Sequence, residues 1–225
     1  MLAVLYDIHA NMPALKAVIE DARVRGATAW LLGGDYVGFG PFPHETLELL
    51  EGLDEPTVWI RGNGERWLRE PPMDRPEIVE GLQSMAGWMS LDEDTTERLY
   101  RLPERAEVDG VVFVHGCLVS DVDTFALEQQ DADVLRCGTL RSRTIVFGHS
   151  HVQFTRPGPA GNTLVNPGSV GMPLDGDVRA AWALWDGRAF TLHRIEYDLD
   201  RVVDAAKPLG EWGQRMIHRY THAAD

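Results

Sequence analysis

Apolar and polar positions fall into blocks that read by turns as strand and helix. Residues 1–6 form a short apolar run, stopped by Asp7, that suits a buried strand. Pro13 opens a helical stretch whose Leu15, Val18, Ile19 and Ala22 share one face, and Gly26 ends it. A second apolar run at 29–32 leads into Gly33-Gly34-Asp35. A helix over about 44–53 follows, and then a strand at 57–60 running into Arg61-Gly62-Asn63. This strand–helix alternation predicts a mostly parallel sheet with helices on its faces. Residues 66–102 read differently: three prolines, Pro71, Pro72 and Pro76, precede helical patches at 78–89 and 92–102, expected beside the sheet or over its edge. Beyond them strands dominate. Residues 107–114 read as a hairpin turning at Asp109-Gly110, 144–147 as a buried strand, and 152–155 and 163–165 as short strands. Residues 180–197 form a last hairpin across Asp186-Gly187. A two-sheet core with helices outside follows. The tail after Lys207 shows no clear pattern and its end is expected to be disordered.

The length, 225 residues, allows one domain over 1–225 with a full core. Lys and Arg number 21 against 35 Asp and Glu, a formal net charge of −14, which argues against extended nucleic-acid binding because that binding runs on basic side chains. No apolar run approaches the ~18 residues of a spanning helix. The first twelve residues carry no basic segment, so neither a membrane anchor nor a signal peptide is expected. Two cysteines, Cys117 and Cys137, give no disulfide framework, and the expected location is cytoplasmic.

Candidate chemistry gathers at strand ends. The first strand delivers Asp7 and His9 with Asn11 just beyond, the second Asp35, the third Asn63, the strand at 111–114 His115, and the strand at 144–147 His149 and His151. Ligands of open α/β sheets bind beyond the carboxyl ends of strands. Any one of these residues taken alone reads as a turn or cap residue, or as a satisfied histidine. Together they are seven metal-capable side chains at five strand ends with hardly any Lys or Arg among them. Carboxylate, imidazole and amide donors without thiolate suit Mn²⁺ first, with Fe, Zn²⁺, Ni²⁺ or Co²⁺ as alternatives. Seven ligands suit two ions ~3.5–4 Å apart.

The ordered set Asp7-Ile8-His9-Ala10-Asn11, Gly34-Asp35, Gly62-Asn63-Gly64-Glu65, His115-Gly116 and Gly148-His149-Ser150-His151 resembles the five motifs of the calcineurin-like metallophosphoesterases. The segments 34–41, 166–171 and 175–177 resemble a small single-domain bacterial branch. The resemblance runs from about residue 3 to residue 198. It implies an α/β (α+β) fold, a four-layer αββα sandwich of two mixed sheets flanked by helices. It also implies a dinuclear centre: Asp7, His9 and His151 on one metal, Asn63, His115 and His149 on the other, and Asp35 bridging. Asn11 and Glu65 would stand behind these ligands. A hydroxide between the metals would attack phosphorus in line, with Asp35, Asn63 and His115 serving the hydroxide and the phosphate.

Two positions depart from the resembling pattern. Its third motif usually carries a His where Gly64 stands, and a missing general acid costs ~10²–10⁴ in rate. The branch often carries an Arg where Leu174 stands, so one cation at the substrate entrance is absent. The expected function is therefore hydrolysis of a small phosphodiester or an activated phosphate ester. The alternatives are a phosphomonoester or phosphoprotein phosphatase, and a non-catalytic metal-binding scaffold of the same fold. A scaffold has no need of all seven donors. A homo-oligomer is left open.

Overall fold

The computed structural model describes residues 1–224, with side chains at all of these except 84–88. The first sheet takes its parallel centre from β1 (Leu2–Leu5), β2 (Ala29–Leu32) and β3 (Thr57–Trp59), linked by α1 (Met12–Val24) and α2 (Pro43–Glu51). After β3 come α3 (Asn63–Trp67), α4 (Pro76–Met89) and α5 (Glu93–Tyr100). The second sheet is built from β4 (Arg105–Val108), β5 (Val111–Val114), β6 (Thr144–Val146), β7 (Phe154–Pro157) and β8 (Thr163–Asn166), with α6 (Asp133–Arg136) between β5 and β6. The chain then returns to the first sheet with β9 (Ala180–Trp185) and β10 (Phe190–Ile195), and ends in α7 (Leu199–Ala206) and α8 (Gly210–His222). Strand orders are β10-β9-β1-β2-β3 and β4-β5-β6-β8-β7. The first sheet is parallel from β1 through β3 and antiparallel on its β9–β10 side, whereas the second has a parallel centre, β5-β6-β8, with antiparallel edges β4 and β7, because hairpins supply those antiparallel strands.

The two-residue periodicity of the strands sorts side chains into layers. Leu2, Val4, Tyr6 and Leu31 face Val111, Phe113, Val146 and Val165 of the other sheet. Ala3, Leu5, Trp30 and Leu32 face outward onto Leu15, Val18, Ile19 and Ala22 of α1. On the far side of the second sheet, Val112, Val114, Ile145 and Leu164 pack on Phe125, Cys137 and Phe147. The result is an α-β-β-α sandwich, and its last layer is mostly loop around the single turn of α6. Because the strands are buried on both faces, they read as unbroken apolar runs.

The hairpin turn at Asp109-Gly110 places both residues at positive φ, 46° and 82°, as a twisted two-residue turn requires. The last hairpin is shorter than its sequence suggests. The Asp186 carboxylate accepts from the N–H groups of Arg188 and Ala189, which keeps these residues in the turn and starts β10 at Phe190.

The tail is the main correction. Residues 210–222, read as patternless, form α8; residue 225 lies outside the described residues. Met216 and Tyr220 are buried beside Val202 and Ala206 of α7, Trp67, Phe39 and Met172. Gly213 is required at the α7–α8 crossing, where a Cβ would stand 2.0 Å from the Ala206 carbonyl oxygen. The spacing of Trp212, Met216 and Tyr220 was the available signal, masked by Gly210, Gly213 and a polar majority.

The docking of this helix has a direct test. The Tyr220 hydroxyl is buried without a hydrogen-bond partner. Tyr220→Phe is expected to leave stability within about 0.5 kcal/mol of the parent or to raise it, since burying an unpaired polar group is costly. Tyr220→Ala is expected to cost about 3–5 kcal/mol, in the range of large aromatic truncations. Urea titration measures both, and a frayed tail would make both changes silent.

Candidate metal centre

The carboxyl ends of β1, β2, β3, β5 and β6 meet at one edge of the sandwich, and the chain turns sharply there. Five of the seven donors hold left-handed backbone: Asp7 (φ 54°), His9 (47°), Asp35 (56°), His149 (66°) and His151 (58°). Each costs an L-residue roughly 1–2 kcal/mol. Backbone ties between the loops hold the turns in place. Asp7 N–H donates to Gly34 O (3.2 Å), His9 N–H to Asp35 O (2.9 Å), Gly148 N–H to His115 O (2.8 Å) and Gly171 N–H to Asp7 O (3.1 Å). Gly171 permits the last approach, since a Cβ there would stand 1.7 Å from Ile8 O.

The structure brings together all seven residues singled out from the sequence. One ligand atom from each of Asp7, His9 and His151 lies within 4.8 Å of the others, and the same holds for Asp35, His115 and His149. Asp35 faces both groups, with Oδ2 3.7 Å from His9 Nε2 and Oδ1 3.5 Å from His115 Nε2. Asp7 Oδ1 lies 3.6 Å from His151 Nε2 and 3.8 Å from His115 Nε2. Asn63 Oδ1 lies 2.9 Å from His115 Nε2. All are buried except His149, which is partly open to the cleft.

The imidazole tautomers are fixed by carbonyls behind the rings. His9 Nδ1–H donates to Gly38 O (2.9 Å), His151 Nδ1–H to Met172 O (2.6 Å) and His115 Nδ1–H to Gly33 O (2.9 Å). In the neutral rings Nε2 is then a bare lone pair. His9 and His151 point two such lone pairs at each other across 3.1 Å. Asp7 Oδ1 is buried beside them without a hydrogen-bond partner. Buried acceptors facing one another with no donor between them fit a cation.

Charge in the crevice is finely divided. Burial lowers the affinity of His9, His149 and His151 for protons, taking His149 down to about 4 and His151 well below the usual histidine range. For His115 burial acts the same way, but Asp35 and Asp7 outweigh it and hold the ring above that range. Burial pushes the Asp7 carboxyl up to about 8 against the pull of His115. Burial also acts upward on Asp35, yet His115, His9 and His149 together keep it below the usual carboxylate range. Burial and neighbouring charge thus favour the ligand forms of His9, His149, His151 and Asp35, while Asp7 and His115 are shifted toward holding a proton.

Glu65 has a task that its sequence position does not reveal. Its buried carboxylate accepts from Asp35 N–H (2.8 Å), Tyr36 N–H (2.7 Å) and Gly62 N–H (2.9 Å). Burial and Asp35 push it up to about 7 against these three donors. It therefore ties the loop after β2 to the start of α3. Gly64 N–H donates to Asp35 Oδ1 (2.7 Å), and a Cβ on Gly64 would stand 2.9 Å from that oxygen. Gly64 is thus a packing position as well as the place of a missing histidine. Asn11 caps α1, accepting from Ala14 N–H, and donates to Gly171 O (2.7 Å), which braces the loop after β1 from behind.

The crevice opens into a cleft of about 380 Å³. Arg75, Arg215 and Arg219 all line the cleft, two of them from the unforeseen α8. Leu174 lines it too, an apolar side chain at the entrance. His44 lies exposed in the first turn of α2, and Cys117 and Cys137 are buried free thiols, so none of these joins the centre. No helix among the described residues is long and apolar enough to cross a membrane.

Residues 1–186 match the calcineurin-like phosphoesterase superfamily domain. Over 243 aligned positions the chain is 28% identical to an uncharacterized protein of Methanocaldococcus jannaschii, covering 96% of this chain and 97% of that one. Its structure is similar to the crystal structure of a metallophosphoesterase from Sphaerobacter thermophilus, with a TM-score of 0.78, 25% identity and 99% of each chain covered. A hypothetical protein from Pyrococcus horikoshii shares the fold at a TM-score of 0.80 and 23% identity, over 98% of this chain and 99% of that one.

Glu65→Gln keeps the size of the side chain but replaces one acceptor oxygen with an NH₂ group facing backbone donors. It is expected to weaken Mn²⁺ binding ~10–100-fold, the usual scale for groups that orient ligands. Competition against a fluorescent chelator measures this, and unchanged affinity would remove Glu65 from the support of the centre.

Proposed function

Because the chain belongs to the calcineurin-like phosphoesterase superfamily, we propose that it hydrolyses phosphodiesters and activated phosphate esters at a two-metal centre. The observation that carries this reading is the pair of bare His9 and His151 lone pairs beside the unpartnered Asp7 Oδ1. One ion would be held by Asp7, His9 and His151, the other by Asn63, His115 and His149, with Asp35 shared between them. Nitrogen and oxygen donors without thiolate favour Mn²⁺, then Fe, Zn²⁺, Ni²⁺ or Co²⁺. When bound, such ions acidify water for attack and stabilise charge on phosphoryl oxygens.

The chain's own residues set the geometry of the reaction. Carbonyls behind His9, His115 and His151 accept from Nδ1–H and aim each Nε2 into the crevice. Asn63 presents Oδ1 to the His115 ring in one orientation and its NH₂ in the other, and a cation selects the first. Apolar strand ends and the loops tied to Asp7 wall the crevice from bulk water, which strengthens every interaction within it. No side chain at position 64 can give a proton to the departing oxygen. His149, the ring most open to the cleft, is pushed down to about 4 by burial and in this reading holds a metal rather than giving a proton. Leaving groups that depart as stable anions are therefore favoured, and unactivated monoesters rank behind them.

Gently purified protein is expected to carry between one and two transition-metal equivalents by elemental analysis. Excess chelator should abolish hydrolysis of bis(p-nitrophenyl) phosphate and Mn²⁺ should restore it. Asp35→Asn should lower the rate at least ~10³-fold with an unchanged far-ultraviolet spectrum, the scale of losing a major electrostatic stabiliser. Full activity of metal-free protein would overturn the reading.

The leaving-group argument predicts a steep fall in rate across aryl phosphates as the phenol becomes less acidic. Gly64→His is expected to flatten that slope less than a full general acid would, because its Cβ presses on Asp35 Oδ1. Gly64→Ala separates the two effects, carrying the pressure without the proton. A flat slope in the parent protein would show that some other group supplies the proton.

A further inference from the structure

Helix α8 lies beyond the span 1–186 matched by the superfamily, yet it forms one wall of the cleft. Trp212, Arg215 and Arg219 follow one another at spacings of three and four, so one face of the helix looks into the cleft. The wall is fixed in place from both sides. Behind it Met216 and Tyr220 are buried. Across it the Trp212 ring lies against α4 at Gly81, where a Cβ would stand 2.6 Å from the ring, and 5.4 Å from the Phe39 ring.

The cations on this wall are graded in depth. Arg219 is half-buried, and its Nη1 lies 3.8 Å from Met172 Sδ, on the residue whose carbonyl holds the His151 ring. Arg215 stands one turn further out, ~5.4 Å along the axis. Arg75, just before α4, faces the cleft from the other side with Glu77 beside it. Several arginines outside the cleft pair with acids, as Arg66 does with Asp121, Arg136 with Asp123 and Arg156 with Asp133. Among the described residues, no carboxylate lies within ion-pair distance of Arg75 or Arg215. In a chain of net charge −14, the lining of this cleft holds three arginines against two carboxylates, Asp35 of the donor set and Glu77. Guanidinium groups bind phosphate through paired N–H donors.

We infer that Arg219, Arg215 and Arg75 form a second phosphate subsite beyond the metal centre, so that the substrate carries a phosphoryl group in addition to the one attacked. The inference rests on the phosphoesterase reading of the centre. It deepens that reading by naming the substrate class, a phosphate ester with a second phosphate within one or two helical turns of the first. Two chemistries provide such a group: a phosphoanhydride, as in a nucleoside diphosphate ester, and a separate phosphomonoester across a sugar, as in a 3′-phosphorylated nucleotide.

The test has a binding arm and a kinetic arm. In the binding arm, calorimetry on metal-free full-length protein compares inorganic pyrophosphate with orthophosphate. Pyrophosphate is expected to bind at least ~10-fold more tightly, and Arg215→Gln with Arg219→Gln should remove that preference. Gln keeps helix propensity, so both variants should fold. In the kinetic arm, the Mn²⁺-loaded protein hydrolyses the p-nitrophenyl ester of thymidine 5′-phosphate, the same ester with a 3′-phosphate, and the p-nitrophenyl ester of thymidine 5′-diphosphate. The double variant should lower kcat/KM for one of the two-phosphate esters, relative to the one-phosphate ester, ~10-fold through KM. Which of the two responds identifies the linkage. Arg188→Gln, on the β9–β10 turn, should leave the ratio alone.

Equal binding of pyrophosphate and orthophosphate, or unchanged ratios in the double variant, would overturn the subsite. Loss of the pyrophosphate preference in the Arg188 variant would do the same, by showing a mere net-charge effect. A protein that keeps the preference but hydrolyses none of the esters would overturn the phosphoesterase reading and leave the subsite standing.

Discussion

Seven acceptor-bearing side chains share one desolvated crevice, and the rest of the molecule is arranged around holding them there. The His9 and His151 lone pairs, 3.1 Å apart and 3.6–3.7 Å from the carboxylates of Asp35 and Asp7, repel their neighbours and lose hydration on burial. No local preference of the chain would assemble them. What assembles them is apolar: two sheets closing on Val4, Tyr6, Phe113 and Val146 force five strands to end at one edge. Burial of those strands is the favourable term that offsets both the repulsion and the five left-handed turns at the site.

The loops beyond the strands turn this forced proximity into a defined geometry. The tautomers of His9, His115 and His151 are each set by a carbonyl of a neighbouring loop. Glu65 shows how economical the scheme is. One carboxylate satisfies three buried backbone donors from two loops, and thereby fixes Asp35 between the two groups of ligands. Close backbone contacts at Gly171 and Gly40, where a Cβ would stand within 2 Å of a carbonyl oxygen, let the loops after β1, β2 and β8 lie against each other.

The sheets were legible in the sequence because strands buried on both faces leave unbroken apolar runs, and the donors were legible because each follows such a run directly. Asp7 after residues 1–6 and His149 after residues 144–147 needed no tertiary information. What escaped depended on contacts between distant segments. Glu65 reads as an acid with no histidine to orient until Asp35 and Tyr36 are placed above it. Gly64 reads as a deletion of chemistry until its Cβ direction is seen to end on Asp35. Helix α8 has weak local preference and two glycines, and it is helical because Met216 and Tyr220 find a pocket made by α7, Trp67 and Met172. The arginines it carries were invisible for the same reason: their relation to the strand ends is set by packing, not by spacing along the chain.

Helix α8 stands outside the framework that holds the donors. All seven donors and the loops that aim them are fixed by strands of the two sheets, including β9 against β1, and none of them lies on α8. A helix packed on the outside of a sandwich opens at lower free energy than its central strands. On warming, such a helix detaches while the sheets still hold the donors in place. Under the subsite proposed for α8, discrimination between substrates is the first property to melt, and the proposed capacity for chemistry the last.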